Sequence, residues 1–423
     1  MKVERCKGFR DLLPDDMRRF RAIEETFRKT CLNWGYQEVK TPSLEYLYLF
    51  TSTGTLTPSL LSRVYSFLDW DGWSGERVVL RPDGTIPIAR MYSEKMINEN
   101  LAKLFYITNI FIFEETGTVD REKWQGGVEL IGAGSFMADI ELILMALEIL
   151  HKLGIRPIQL RLSHAGMIKA VLAGLGFNHE EQTKIFDQVL DGDFSILKNL
   201  SPEKSNLGKT ITSLLELEGN SSALLKNLRA LYAVDLPDII NPLNNFIDIT
   251  AFLENAGINF SIDIRSGRGF EYYTGLVFHL YADGVNVGGG GRYDDLIPFM
   301  SGKNIPASGF ALYIDRLMEI IKPEYYSSTD NNIMVAIKPC IDKPNTARCC
   351  KELVDVLHDA EIITEMELSD QTLKAAVWEI EIGGDSTYIL KNNTQNTKFQ
   401  VNSIEDIIKI INNHEQNNQD STA

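Results

Sequence analysis

Four consecutive glycines, Gly288–Gly291, stand inside a stretch that otherwise reads as β-strand, and Arg292-Tyr293-Asp294 follows at once. Glycine weakens a strand, because it loses the most conformational freedom and has no side chain to pack. A run of four is therefore expected where something lies close to the backbone, and the expectation here is a bare surface under a flat ligand. Upstream, Phe260, Ile262 and Ile264 alternate as a strand does. They lead into Ser266-Gly267-Arg268-Gly269-Phe270-Glu271-Tyr272-Tyr273-Thr274-Gly275. Arg268, Tyr272 and Tyr273 would set a cation and two phenol rings beside that surface. The stretch closes at Ser308–Leu317, and its outline is that of a small-molecule pocket.

The chain around it has 423 residues, enough for two or three domains. Net charge is 42 − 58 = −16, which disfavours nonspecific nucleic-acid binding through a broad basic face. No apolar run approaches the ~20 residues of a membrane span. Met1-Lys2-Val3-Glu4-Arg5-Cys6 lacks the apolar core of a secretory signal, so a cytoplasmic location is expected. Cys6, Cys31, Cys340, Cys349 and Cys350 show neither disulfide-framework nor zinc spacing, and the six histidines form no ligand pair. Reduced thiols, no metal and no cofactor are the expectation.

Taken in order, the first helix carries Phe20, Ile23, Phe27 and Cys31 near a 3.6-residue spacing and ends at Gly35. Strands are expected at Arg63–Leu68 and Arg77–Leu80, followed by a helix opened by Arg81-Pro82-Asp83-Gly84-Thr85 and capped by Thr85. Asp83 and Thr85 at a strand end could supply acceptors for an amine. Two further strands span Leu104–Glu114 and Gln125–Gly132; alternation puts Gln125 and Glu129 on one face of the second. On a strand otherwise so apolar, that face is read as a pocket wall. A helix follows over Met137–Leu153. Residues 155–255 turn helical after a strand at Ile158–Leu162, with Ile185/Val189 and Leu224/Leu228/Leu231 at helical spacing, and read as an insert. After a polar linker near 323–332, strands at Ile333–Ile337, Glu361–Met366, Thr387–Lys391 and Lys398–Val401 alternate with helices at Thr346–Leu357 and Ile404–Asn412. That pattern suggests a small α/β domain, with an irregular polar tail from Glu415.

In this order the motifs Gly8…Asp11…Pro14, Arg81-Pro82-Asp83-Gly84-Thr85, Gln125-Gly126-Gly127-Val128-Glu129, Arg268–Gly275, Gly290-Gly291-Arg292-Tyr293-Asp294 and Gly309-Phe310-Ala311…Arg316-Leu317 resemble those of histidyl-tRNA synthetases and their paralogues. The resemblance spans about residues 7–320. It implies an α+β fold, a class II aminoacyl-tRNA synthetase-like antiparallel sheet flanked by helices. A synthetase-like domain would occupy 1–322 with a helical insert about 163–255, an anticodon-binding-like domain 331–414, and a disordered tail 415–423. It further implies a histidine pocket of Asp83, Thr85, Gln125, Glu129, Arg268, Tyr272, Tyr273 and Tyr293. Asp83 stands where the family has glutamate. Arg121 and Arg316 would be remnants of an ATP site.

One departure decides between the family's branches. Where synthetases have Phe-Arg before an acidic residue, this chain reads Phe111-Ile112-Phe113-Glu114. Adenylate formation builds negative charge on phosphate oxygens, and losing one preorganised cation there costs ~10²–10³ in rate. No arginine lies between Arg90 and Arg121 to replace it. His164–Leu172 and Leu214–Leu231 in turn resemble the regulatory subunit of ATP phosphoribosyltransferase. That resemblance implies a non-catalytic histidine sensor, homodimeric through the synthetase-like core, within a hetero-oligomer with the short catalytic subunit and without productive tRNA binding. The competing expectations are a divergent active histidyl-tRNA synthetase and a paralogue binding another amino acid or a protein.

Overall fold

The computed structural model describes residues 3–52, 63–70, 75–113, 120–174, 218–232, 236–264, 273–326, 334–339, 346–367, 376–383 and 387–420. The chain divides into two compact units, Met1–Tyr326 and Ser327–Ala423.

In the first unit the strands are β1 (Gln37–Glu38), β2 (Leu44–Tyr46), β3 (Ser66–Trp70), β4 (Gly75–Leu80), β5 (Ala102–Phe111), β6 (Glu122–Ile131), β7 (Ile158–His164), β8 (Glu218–Gly219), β9 (Phe260–Asp263), β10 (Leu276–Ala282), β11 (Val285–Arg292) and β12 (Ala307–Tyr313). Nine of them form one sheet in the order β1-β5-β6-β12-β11-β10-β7-β9-β8. It is antiparallel apart from the parallel pairs β1–β5 and β7–β9. β2, β4 and β3 make a separate small sheet.

Helices cover one face of the large sheet. Pro14 opens the helix Pro14–Asn33 with a φ already suited to the first turn, and Asp16 accepts the Leu13 amide at 3.2 Å. Phe20, Ile23, Phe27 and Cys31 form its buried stripe, as the spacing predicts. Gly35, at φ +80°, turns the chain out of the helix. Phe27 lies over Gly126 so closely that a Cβ there would sit 2.8 Å from the ring. Gly126, Val128 and Leu130 therefore face the helices. By alternation Gln125, Gly127 and Glu129 face the other way. The helix Phe136–Lys152 lies against Pro14–Asn33 on one side and Ile240–Asn255 on the other.

The helix Ser222–Tyr232 buries Ser222, Leu225 and Leu228; Leu231, expected on the apolar stripe, is exposed. Ile185 and Val189 lie outside the described residues.

In the second unit β13 (Met334–Pro339), β14 (Ile363–Met366), β15 (Trp378–Ile382), β16 (Tyr388–Asn392) and β17 (Thr397–Val401) form a sheet ordered β14-β13-β15-β16-β17. Its core joins Val335, Ile337, Trp378, Ile380 and Leu390 to Leu353, Leu357, Ile407 and Ile411 from helices Thr346–Asp359 and Ile404–Asp420. Two corrections arise here. β15 is absent from the sequence reading, and the last helix continues to Asp420 through residues expected to be irregular. Among the described residues no helix is long and apolar enough to cross a membrane, and no group of three or more His, Cys, Asp or Glu could hold a metal ion.

Candidate functional site

The register of β5, β6 and β12 builds the site. Tyr106 on β5 pairs with Gly127 on β6, and Gly309 on β12 pairs with Glu129. Directly opposite residues share a face, so Tyr106, Gln125, Glu129 and Gly309 all point away from the helices. A Cβ at Gly127 would overlap the Tyr106 ring, and one at Gly309 would come within 2.9 Å of the Glu129 carboxyl carbon. Tyr273 occupies the space over Gly291, where a Cβ would lie 3.0 Å from its ring. The glycines thus make room for pocket side chains. The bare backbone floor expected under the ligand is, at Gly291, covered by a tyrosine.

Glu129 is the centre. Tyr106 Oη donates to Glu129 Oε1 at 3.3 Å, Gln125 Nε2 donates to Tyr106 Oη at 3.1 Å, and Tyr293 Oη donates to Glu129 Oε2. Only 1% of Glu129 is exposed. Burial raises its carboxyl to about 8, opposed by hydrogen bonds from Tyr293, Thr85 and Tyr106 and assisted by the charge of Asp83. Burial likewise lifts Tyr106 and Tyr273 well above the ordinary phenol range.

Asp83 and Thr85 enter from the start of the helix Thr85–Met91. Asp83 Oδ1 accepts the Ile86 amide at 2.9 Å, so the cap expected of Thr85 is made by Asp83. Burial pushes Asp83 up to about 6, against those backbone amides. A Cβ at Gly84 would stand 2.5 Å from Tyr106 Oη and 2.6 Å from Gln125 Nε2, which fixes how closely this turn approaches the sheet.

Six of the eight expected pocket residues, Asp83, Thr85, Gln125, Glu129, Tyr273 and Tyr293, therefore converge. Arg268 and Tyr272 lie outside the described residues. Tyr106 is the member sequence reasoning missed; its signal is a polar tip in an apolar strand opposite a glycine, visible only once register is known. The assembly offers two carboxyls, an amide and hydroxyls in low-dielectric surroundings. That set suits a small cation bearing several N–H donors.

A family model described as histidyl-tRNA synthetase matches residues 8–317. The chain belongs to the histidyl-tRNA synthetase family. It is 47% identical over 414 residues to the ATP phosphoribosyltransferase regulatory subunit of Dehalococcoides mccartyi, covering 98% of this chain and 99% of that protein. It is 35% identical over 335 residues to the histidine–tRNA ligase of Archaeoglobus fulgidus, covering 77% of each. The crystal structure of an ATP phosphoribosyltransferase regulatory subunit/histidyl-tRNA synthetase from Bacillus halodurans C superimposes with TM-score 0.71 at 23% identity, over 88% of this chain and 95% of that one. The histidyl-tRNA synthetase of Nostoc sp. PCC 7120 gives 0.70 at 17% identity, over 97% and 99%. At those identities the two structures speak to the fold alone: the class II synthetase-like sheet with flanking helices.

Ile112, standing where the sequence reading expects the family's activating arginine, continues the β5–β6 ladder: its amide donates to Arg121 O at 2.9 Å. Three of the described arginines near this end in sequence or space, Arg81, Arg121 and Arg10, are engaged elsewhere; a fourth, Arg63, accepts the Phe113 amide on its carbonyl at 2.6 Å. Arg81 is 2% exposed. Its Nε donates to Asn109 O at 2.8 Å, Nη1 to Thr41 O at 3.0 Å and Pro42 O at 3.1 Å, and Nη2 to Asn109 Oδ1 at 2.9 Å and to Thr108 Oγ1. An arginine has five N–H donors, so this set uses them all. Arg121 lies with its guanidinium carbon 4.1 Å from the Phe113 ring centroid, donates to Tyr65 Oη at 3.4 Å, and packs over Gly8. Arg10 pairs with Asp315, and with Asp120 at 3.5 Å. Arg316 is exposed on the helix Ile314–Ile320.

Proposed function

We propose that this protein is a non-catalytic regulatory subunit of ATP phosphoribosyltransferase, binding histidine and passing that signal to a short catalytic subunit. The observation carrying the reading is the contrast within one sheet face. Six of the residues expected in an amino-acid pocket gather about Glu129, while isoleucine stands at position 112, where the sequence reading expects the activating arginine, and Arg81 is held by neutral acceptors. The relatives at 46–48% identity bearing the regulatory-subunit name support it. Histidine would place its ammonium and ring N–H groups on Asp83 and Glu129, with Arg268 receiving the carboxylate. Its action would be a population shift: histidine favours one arrangement of the complex, and the partner's state alters histidine affinity in return. A homodimer through the synthetase-like core within a hetero-oligomer, in the cytoplasm and without productive tRNA binding, belongs to the same reading.

Isothermal titration with histidine and co-purification with the short phosphoribosyltransferase test it. Binding and complex formation are expected; absence of both rejects the proposal. The alternative, a divergent histidine–tRNA ligase, is favoured by relatives of that name at 31–35% identity. Robust histidine-dependent ATP–pyrophosphate exchange would establish it and defeat the first reading.

A further inference from the structure

Arg292 belongs to the motif that marks the pocket, yet alternation along β11 turns its side chain to the helix side while Tyr293, next in sequence, turns to Glu129. On the helix side Arg292 Nη2 donates to Asp139 Oδ1 at 2.9 Å and Nε to Asp139 Oδ2 at 3.2 Å, a two-pronged pair. The remaining guanidinium hydrogens reach Ala133 O and Ser135 O, both at 3.1 Å, and Asp294 Oδ1 at 3.2 Å. The arginine is 5% and the aspartate 1% exposed. Its backbone is held as well: Thr274 N donates to Arg292 O at 2.7 Å, and Asp294 N to Thr274 Oγ1 at 2.9 Å. Gly275 leaves the space for the stem, since a Cβ there would sit 2.9 Å from Arg292 Cδ.

Burying an ion pair removes two charges from water, and an apolar pair of equal volume often serves stability as well or better. A bidentate guanidinium–carboxylate pair does something apolar packing does poorly: it fixes direction as well as distance. Here it locks the residue immediately before Tyr293, while Asp294 Oδ1, bonded also to Ala307 N at 3.0 Å, locks the residue immediately after. A phenol flanked on both sides by anchored backbone has one place to put its hydroxyl. Burial raises the Asp139 carboxyl to about 6, opposed by the charge and hydrogen bonds of Arg292.

We propose that the Asp139–Arg292 pair is a positioning device for the ligand pocket, setting Tyr293 Oη on the Glu129 carboxylate from the opposite face of the sheet. It never touches the ligand, and it makes the start of the helix Phe136–Lys152 part of the pocket's frame. The inference rests on the histidine-pocket reading for its consequence, but its geometry can be tested without ligand.

The test uses the full chain with 3-fluorotyrosine placed at position 293, comparing the parent with Asp139→Asn and Arg292→Lys by ¹⁹F NMR. Displacement of the position-293 resonance in either variant that keeps the parent's circular dichroism is expected. An unmoved resonance overturns the proposal. Histidine affinities of Asp139→Asn, Tyr293→Phe and the double variant supply the second measurement. Each single change should weaken binding about 10-fold, and the double change by about the same factor, since both act through one contact. Losses that multiply to about 100-fold would mean that Asp139 acts elsewhere and overturn the inference. A lowered Tm with unchanged affinity and resonance is the mark of a merely structural pair and does the same. Failure of the parent to bind histidine refutes the functional reading and leaves the ¹⁹F comparison to decide this one.

Discussion

Tyr106 Oη lies 3.3 Å from Glu129 Oε1, on a strand whose neighbour presents only Gly127 beneath the ring. The phenol passes a hydrogen-bond chain from Gln125 to the carboxyl, so the pocket's acid is held by groups from both strands.

Glu129→Gln should weaken histidine binding about 10–100-fold, the usual range for losing a hydrogen bond to a charged group. Because burial raises Glu129 to about 8, it is largely protonated in the empty pocket at neutral pH. Binding a cation ionises it, so affinity should rise from pH 6.5 to 8 with release of a proton. Titration calorimetry in buffers of different ionisation enthalpy measures that release, which the variant should lack.

Stability carries the same signature with opposite sign. The folded Glu129 binds its proton more tightly than the unfolded chain does, so the folded state is favoured where the group is protonated. Unfolding free energy should fall by about 1–2 kcal/mol between pH 6.5 and 8. Below that window His164, pressed down to about 4 by burial, acts in the other direction and obscures the trend. Urea denaturation across the window checks this, and Glu129→Gln should flatten the slope.

Arg81→Lys should cost about 3 kcal/mol, because an ammonium cannot reach acceptors on Thr41, Pro42, Thr108 and Asn109 together. Chemical denaturation should show the loss without any gain in pyrophosphate exchange.

Gly309→Ala should abolish histidine binding. The added methyl would press on the Glu129 carboxyl, which has Tyr293 and Tyr106 on its other sides. Calorimetry together with circular dichroism separates that outcome from misfolding.

Ile112→Arg alone should not produce histidine-dependent pyrophosphate exchange, since Arg121 stays packed on Phe113 and bonded to Tyr65. Appearance of exchange would mean that Ile112 alone blocks activation and that the engaged arginines are no further obstacle.

Much of this frame is legible in the residues. Alternation located β5, β6 and the facing of Gln125 and Glu129, because a strand's period of two needs no tertiary knowledge. What sequence could not give is register. Tyr106, beside Phe105 and Leu104, looks like core until pairing sets it over Gly127. Arg292 reads as part of a ligand motif, and only its partner Asp139, 153 positions away, shows it to be on the other face. β15 does not stand out in the sequence although Trp378-Glu379-Ile380-Glu381-Ile382 alternates, since the short run follows an unpatterned stretch. Asp83 and Thr85 are both good capping types; the helix begins at Thr85 itself, so the residue outside it, Asp83, is the one that reaches the Ile86 amide.

The five-donor satisfaction of Arg81 has an evolutionary consequence. Among the described residues Arg81 and Arg292 are the buried guanidinia, and each braces the scaffold. Neither can be borrowed for chemistry without loosening the sheet that would host it. Gaining an adenylate-forming cation on this face would therefore demand several concerted changes, which makes a non-catalytic state hard to leave once reached.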